Sequence, residues 1–462
     1  MPRKSKKKSK MTFAQKVFKR VGDRTKKFSK KALDREEMDA LYGIRHVVST
    51  GLPSLDLNCF CIINEECEKE WGIPTGRFVE FHGESESGKT LLANTIFARC
   101  MKQGGFSMKA TSERDYDIRW DDEVFLREGV PKEVFNTSCR FNTCSNVSEM
   151  KYAFENFAAT IRETLEEDAK ERGEEYNGDG PPCCFVVDSV AEILGDDDFK
   201  ALSQSAVSET NHRADRLKED GVLEDSIRPG NHAFHFKKFF KVANEDVNKY
   251  NILFLMVNQT RSNIQTGGPM FGPKTKPAHD ATMKFISSLR LKMVRWSPST
   301  KHKKSLHNKK YITGFPVQVK IEKLRQKTVG DGTVMLFQRA DSSFDYLYSL
   351  IDSFGITGLA LQVGSNYETA KWKFKHDRFE DLDIRFREEL TPFFDKFHNK
   401  KTDEIREYLV KNLEVTAMLD YTVRQLGPYR PDFDQVQTMV DVKEAKDEIF
   451  DEDNDSLGDE NE

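Results

Sequence analysis

The sequence predicts an α/β fold: a central, mostly parallel sheet, preceded by a basic helical arm and followed by a smaller C-terminal domain. Three stretches carry this expectation. Arg77–Leu92 reads RFVEFHGESESGKTLL, a buried strand at Phe78–Phe81, a glycine-bounded loop, and apolar residues at helical spacing that continue to Cys100. Cys183–Val190, CCFVVDSV, is a continuous apolar run broken by Asp188, the pattern of a strand buried on both faces. Asn251–Val257, NILFLMV, is a second such run, preceded over Phe234–Tyr250 by a helix with Phe236, Phe239, Phe240 and Val247 on one side. Buried strands alternating with helices build a parallel sheet, and such sheets take ligands at the carboxyl ends of their strands.

Composition narrows the class. The chain has 462 residues, enough for a large core and two or three domains. With 37% hydrophobic and 32% charged residues, and no apolar run longer than strand-sized Ile252–Val257, neither a membrane span nor a membrane partner is expected. The basic N-terminus has no apolar segment behind it, which predicts no secretory signal. Eight cysteines in so long a chain make no disulfide framework and point to a reducing cytoplasm. Cys59, Cys61 and Cys67 are close, but no second cluster completes a metal site, so they read as structural or free thiols. The net charge of −4 hides an asymmetry: Arg3–Lys31 is crowded with Lys and Arg, whereas Asp441–Glu462 is rich in Asp and Glu. The arm suits an anionic polymer or a neighbouring subunit, and the tail suits disorder and competition with nucleic acid for basic surfaces. The alternative for both is a tail that solvates the chain.

In chain order, residues 1–46 form the basic arm, with a helix at Met11–Val21 that aligns Phe13, Val17 and Val21, and a role in oligomerisation. Residues 47–341 form the core. It starts with the turn-rich Ser49–Leu57, and Asn64–Trp71 reads as an acidic loop insertion. Phe106–Thr111 is a strand ending at Ser112-Glu113, Met150–Thr164 a helix, and Glu166–Pro182 a polar linker. Asp196–Asn231 and the Gly- and Pro-rich Ser262–Asp280 are too long for ordinary connections and read as functional loops. Phe285–Arg295 and Gly314–Leu324 are strand-like, with basic Lys301–Lys310 between them. Residues 342–430 form a small α-rich domain containing Trp372 and Phe374, and 431–462 an acidic disordered tail.

The loop Gly83–Thr90, GESESGKT, fits G-x-x-x-x-G-K-[ST] between a strand and a helix, the context a P-loop needs. Gly83, Glu84, Ser85, Glu86, Ser87 and Gly88 offer backbone N–H groups to a polyanion beside a helix N-terminus. Lys89 reaches the β- and γ-phosphates, and the Thr90 hydroxyl holds Mg²⁺. A nucleoside triphosphate is the expected ligand. Asp188, about a hundred residues later at the end of a buried strand, reads as the carboxylate at the Mg²⁺ shell of such a site.

Set out in order, STGLPSLDL, GRFVEFHGESESGKT, FVVDSVAEIL, LFLMVNQTR, MFGPK and MKFISSLRL resemble the RecA/UvsX recombinase family, its phage-type members in particular. The resemblance covers roughly Val47 to Gln326. It implies a RecA-like P-loop NTPase core using ATP and Mg²⁺: a DNA-dependent ATPase that forms helical filaments on single-stranded DNA, pairs it with double-stranded DNA and exchanges strands. It also implies single-strand-binding and loader proteins as candidate partners, in the cytoplasm of a bacterium or a phage-infected host. By resemblance, Glu113 is the carboxylate that activates the attacking water, Asp117 an acceptor at the adenine edge and Trp120 the aromatic stacked on the base. Ser189 accompanies Asp188, and Gln259 is the γ-phosphate sensor. Lys323 and Arg325 reach the neighbouring subunit's phosphates as arginine fingers do. The two long loops become DNA-binding loops, with Arg261, Lys274 and Lys276 for phosphates and Phe271 to enter between bases. Lys284, Phe285 and Arg290 fall at the subunit interface. The sequence departs from the family in its acidic first loop (Gly195-Asp-Asp-Asp198) and in Ala278-His-Asp280, where the family has Gly-Gly-Asn. Two other readings share the core: a hexameric helicase, and a mediator or paralogue without turnover. The presence of Lys89, Glu113 and Asp188 argues against the latter.

Overall fold

The computed structural model describes residues 43–113, 117–176, 178, 180–194, 231–262, 275–296, 303–306, 309–312, 314–325, 332–363, 370–374 and 384–429. The chain forms two compact units. The first contains the described residues up to Gly51, then Cys59–Asn64 and Glu70–Phe344; the second contains Leu52–Asn58, Glu65–Lys69 and the described residues from Asp345 on.

The first unit is built on a nine-stranded sheet. Its strands are β1 (Arg77–Gly83), β2 (Ser107–Thr111), β3 (Cys139–Thr143), β4 (Cys183–Asp188), β5 (Ile252–Ser262), β6 (Thr275–Pro277), β7 (Leu289–Arg295), β8 (Gly314–Leu324) and β9 (Thr333–Arg339). They lie in the order β9-β8-β7-β1-β5-β4-β2-β3, with β6 pairing only with β5. The six from β7 to β3 in that order run parallel, and β8, β9 and β6 antiparallel to their neighbours. The helices are α1 (Lys89–Lys102), α2 (Ile118–Arg127), α3 (Lys132–Ser138), α4 (Val147–Glu171), α5 (Asn231–Lys249) and α6 (Asp280–Ile286). The α/β class with a mostly parallel central sheet is thus the one the sequence predicts.

Phenylalanine fills the core under one face. Phe154 of α4 lies 5.3 Å from Phe185 of β4 and 5.2 Å from Phe254 of β5, ring centre to ring centre. Phe240 of α5 lies 5.3 Å from Phe78 of β1. Each such buried ring contributes roughly 1.5–3 kcal/mol from removal of its apolar surface from water. This holds the strands in the register that fixes the site.

Several boundaries differ from the sequence expectation. The helix expected over Met150–Thr164 starts at Val147, where the Asn146 side chain caps Glu149 N at 2.9 Å. It runs on to Glu171, and buried Ala169 continues the stripe of Phe157 and Ile161 into the supposed linker. The supposed loop at Asn64–Trp71 is partly strand: Lys69–Pro74 pairs antiparallel with Val47–Val48, and Trp71 and Ile73 are buried. The expected strand from Phe285 starts only at Leu289, since Phe285 lies in α6, whose Met283 is buried. Strand β5 does not stop at Val257, because pairing with β6 extends it through Gln259 to Ser262. Within the basic segment, Lys303–Leu306 and Lys309–Ile312 form a two-stranded ribbon. The expected helix at Met11–Val21, the first long loop and the acidic tail lie outside the described residues.

The second unit is mostly helical: Tyr346–Thr357, Ile384–Phe397, Thr402–Lys411 and Leu413–Leu426, with the short helix Pro53–Asp56. Asp56, buried, pairs with Arg424 at 3.0 Å, which also binds Asp420 at 3.1 Å. Ser54 and Ser349 share a buried hydroxyl contact of 2.9 Å. Part of the turn-rich lead-in thus belongs to the second unit's core. Trp372, also buried, donates from Nε1 to Thr402 Oγ1 at 2.9 Å. No described helix is long and apolar enough to cross a membrane.

Candidate functional site

The parallel strands deliver their carboxyl ends to one edge of the sheet. Gly83, the last residue of β1, pairs with Gln259 of β5 and with Met293 of β7, while Asp188 of β4 pairs with Thr111 of β2 and Val257 of β5. The P-loop leaves from this edge. A Cβ at Gly83 would lie 2.0 Å from Met293 O, so only glycine lets β7 approach there. Gly88, at φ +84°, takes the left-handed turn that starts α1.

Lys89 is the first residue of α1 and is buried. Its Nζ donates to Glu84 O at 2.5 Å and to Ser87 Oγ at 3.3 Å, and Ser87 Oγ donates to Glu84 O at 2.8 Å. Burial pulls the ammonium pKa down to about 8, against the opposing pull of Asp188, Glu113 and Glu84. Glu84, Ser85 and Glu86 are exposed on the loop's outer rim, and Thr90 follows Lys89 half-buried.

Strands β2 and β4 are stitched together just past their ends. Ser112 N donates to Asp188 O at 2.9 Å, Ser112 Oγ donates to Ser189 O at 2.9 Å, and Ser189 N donates back to Ser112 Oγ at 3.0 Å. This fixes Glu113, whose own N–H donates to Thr111 Oγ1 at 3.2 Å, beside Asp188. Burial, then the charges of Asp188 and Glu192, raise the Glu113 carboxyl above its ordinary value. The peptide between Asp188 and Ser189 is cis. Asp188 Oδ1 is buried and has no hydrogen-bond partner among the described residues. A buried carboxylate oxygen left without a partner is a donor that suits a hard cation such as Mg²⁺.

Beside the loop, a cavity of about 340 Å³ is lined by Glu86–Leu91 together with Trp120, Arg295, Phe315 and Gln338. Trp120 therefore shares a cavity with the phosphate loop. Asp117 does not line it: it caps α2 and pairs with Arg119 at 2.8 Å, a contact that holds its carboxyl below the ordinary range. The sequence reading missed Arg295, Phe315 and Gln338. Arg295 pairs with Glu86 of the loop and sits 3.8 Å above the Phe315 ring. Its position at the end of an apolar strand was the one available signal.

Gln259 is half-buried next to Gly83, and its carbonyl accepts from Ala278 N at 3.2 Å. Asn258 ties the same hairpin down, donating to Glu80 Oε1 at 2.8 Å and Ala278 O at 2.7 Å. Arg261 pairs through its backbone with Lys276, which is exposed; Phe271 and Lys274 lie outside the described residues. Lys323 donates to the carbonyls of Lys284 and Phe285, and Arg325 to Phe285 O at 2.6 Å, so both cations cap the end of α6. Burial, then Arg325 and Arg290, pull the Lys323 pKa down to about 8.

Phe285 is 72% exposed, and Lys284 pairs with Asp280 at 2.7 Å. Arg290 requires a correction to the expectation that it faces a neighbouring subunit. Only 1% exposed, it pairs with Glu80 at 2.5 Å and with Asp280 at 2.9 Å. With Glu322 at 3.8 Å as a third carboxylate, this guanidinium anchors α6 to β1; it holds the segment that presents Phe285 without itself being at the surface.

Comparison with known proteins agrees with this geometry. No family model matches the chain. It is 23% identical over 356 residues to protein RecA of Aquifex aeolicus (strain VF5), covering 77% of this chain and 79% of that protein. Protein RecA of Ureaplasma parvum serovar 3 is 23% identical over 307 residues, covering 66% and 72%. Protein RecA of Bartonella bacilliformis is 27% identical over 254 residues, covering 54% and 56%. With the phosphate loop, the stitched carboxylate pair and the parallel sheet that presents them, these similarities support a RecA-like recombinase family for the chain.

Proposed function

We propose that the protein is a DNA-dependent ATPase that assembles as a helical filament on single-stranded DNA, pairs it with homologous double-stranded DNA and exchanges strands in recombination and repair. One observation carries the reading: Lys89, Thr90, Glu113 and Asp188 meet at one sheet edge, with Gln259 in register beside Gly83. A P-loop protein with that set can hydrolyse ATP, and a strand that leads from Gln259 into a basic loop can report the event to DNA.

ATP with Mg²⁺ supplies the phosphoanhydride bond and the neutralising charge. Lys89 exchanges its contacts with Glu84 and Ser87 for phosphate oxygens. Thr90 and Asp188 hold the metal. Glu113 orients the attacking water and accepts its proton, and its raised pKa makes the carboxylate a better base. Trp120 stacks on the base. Lys323 and Arg325 act in trans on the neighbour's phosphates, and Arg261, Phe271, Lys274 and Lys276 bind DNA. Single-strand-binding and loader proteins are the expected helpers, in the cytoplasm of a bacterium or a phage-infected host.

Electron microscopy with single-stranded DNA, with and without a non-hydrolysable ATP analogue, tests the assembly, and joint-molecule formation tests the exchange. Helical filaments with DNA-stimulated turnover and strand transfer are the expected result. Closed hexamers that unwind duplexes make the protein a helicase; filaments without turnover make it a mediator.

A further inference from the structure

A lysine is buried beneath the site. Lys109, in the middle of β2, is 1% exposed, among the most fully buried large side chains of the chain. Its Nζ lies 3.1 Å from Asn94 Oδ1, 3.4 Å from Asp121 Oδ2 and 3.7 Å from Asp188 Oδ2. Asn94 closes the ring by donating to Asp121 Oδ1 at 2.5 Å. Asn94 and Asp121 are themselves 1% and 0% exposed. Desolvating an ammonium and two carboxylates costs several kcal/mol per ion, and a purely apolar cluster would stabilise the fold as well. Such a network calls for a role beyond stability.

Its placement indicates the role. Asn94 lies on α1, four residues past Thr90; Asp121 follows Trp120 on α2; Asp188 ends β4. One ammonium thus contacts the helix that carries Thr90, the strand that carries Asp188 and the helix that carries the base-side tryptophan. It engages Asp188 through Oδ2, and Oδ1 is the oxygen left without a partner. We propose that Lys109 is a positioning residue that fixes the Asp188 carboxylate, with Oδ1 directed to the metal, and locks it to the Thr90 helix through Asn94 and Asp121. The inference rests on the reading of Thr90 and Asp188 as Mg²⁺ ligands. Groups that hold a metal ligand in place typically contribute 10–100-fold to metal affinity.

The test compares ATP binding by calorimetry, with Mg²⁺ and with EDTA, in the full-length protein. Lys109→Met alone leaves two buried carboxylates facing each other and can unfold the chain, so the informative variant is Lys109→Met/Asp121→Asn, which removes one charge of each sign. This variant is expected to melt near the wild-type temperature and to keep its affinity in EDTA. The gain in affinity brought by Mg²⁺ should fall about ten-fold. Asp121→Asn alone keeps the Lys109–Asp188 contact and should keep the full Mg²⁺ gain. A double variant with an undiminished Mg²⁺ gain overturns the proposal and leaves Lys109 a structural residue. A double variant too unstable to bind in EDTA also overturns it, because the network then acts through the fold. If wild-type binding itself shows no Mg²⁺ gain, the assignment of Thr90 and Asp188 as ligands fails first.

Discussion

Gly83 closes β1 directly opposite Gln259 of β5, so the residue that begins the phosphate loop and the residue expected to sense the γ-phosphate are neighbours in a parallel ladder. Beyond Gln259 the same strand continues to Ser262 and is held in a hairpin by β6. If Gln259 responds to the γ-phosphate as proposed, this strand is the shortest covalent path from it to the base of the second long loop.

Replacing Lys89 by alanine should abolish measurable ATP hydrolysis, a loss of about 10²–10³ or more in turnover, as when a group that stabilises transition-state charge is removed. The fold should survive, because among the described residues the hydrogen bonds of the Lys89 ammonium go to Glu84 O and Ser87 Oγ of its own loop. Turnover and the melting temperature, measured on one preparation, check both halves. Wild-type turnover would falsify the phosphate assignment.

Glu113→Gln should bind ATP and hydrolyse it roughly 10²–10⁴ times more slowly, the usual loss on removing a positioned base. The contacts that the Ser112 N–H and hydroxyl make with Asp188 and Ser189 do not involve the Glu113 side chain, so the amide stays in place. The variant should accumulate on DNA in the ATP state, which filter binding in the presence of ATP measures. An unchanged turnover number moves the base elsewhere.

The low pKa of Lys89, about 8, gives ATP binding a pH dependence of definite sign. Phosphate oxygens favour the charged ammonium and raise its pKa, so the complex binds more protons than the free protein does above that value. Affinity should be flat below about pH 8 and then fall by up to about ten-fold per unit. Calorimetry near pH 9, in two buffers of different ionisation enthalpy, should show roughly one proton taken up at most, and Lys89→Ala should lose the uptake. Proton release would reverse the sign and point to a carboxylate as the responding group.

What the sequence made legible follows from what burial does to composition. Strands β4 and β5 are covered on both faces, so they read as unbroken apolar runs ending in Asp188 and before Gln259. The P-loop was legible because its glycines answer a steric need that no other residue meets. Strands β3 and β9 lie at the two ends of the sheet order, carry mixed residues and gave no pattern. Phe315 and Gln338 reach the cavity from antiparallel strands far along the chain, and only the fold brings them to Trp120. Lys109 drew no sequence reading and Arg290 was placed at an interface, because a charged residue implies a surface; only the partners Asp121 and Glu80 reveal that both are internal. The segment around Phe285 was assigned to a strand because a short apolar run does not distinguish helix from strand.

Phe285→Ala should weaken filament assembly without changing the stability of the free chain. At 72% exposed, the ring contributes little to the monomer, whereas burial against a neighbour is worth about 1.5–3 kcal/mol per contact. Repeated along a filament, that loss should raise the protein concentration needed to cover DNA by about ten-fold or more, since 1.4 kcal/mol corresponds to ten-fold. Light scattering against protein concentration measures it. Assembly equal to wild type removes Phe285 from the interface.

The last prediction concerns whether one chain holds a complete site. In the isolated chain Lys323 and Arg325 are turned onto the carbonyls of Lys284 and Phe285, at the end of the helix that presents Phe285. A neighbour docked over that helix can draw them off, because a carbonyl is a weaker partner for a cation than a phosphate. The free monomer should then be nearly inactive, as cations supplied in trans are worth about 10³–10⁵ in turnover. A Lys323→Ala/Arg325→Ala protein lacks the donated cations but keeps Glu113; a Glu113→Gln protein keeps the cations but lacks the base. Each alone should be inactive. Mixed on single-stranded DNA, they should regain part of the wild-type rate, because one of the two junction orders joins an intact Glu113 to intact cations. Activity should rise with the fraction of mixed junctions and peak near equal amounts. Mixtures that demonstrably co-assemble, for instance by energy transfer between labelled chains, and yet stay inactive would mean that each site is completed within a single chain.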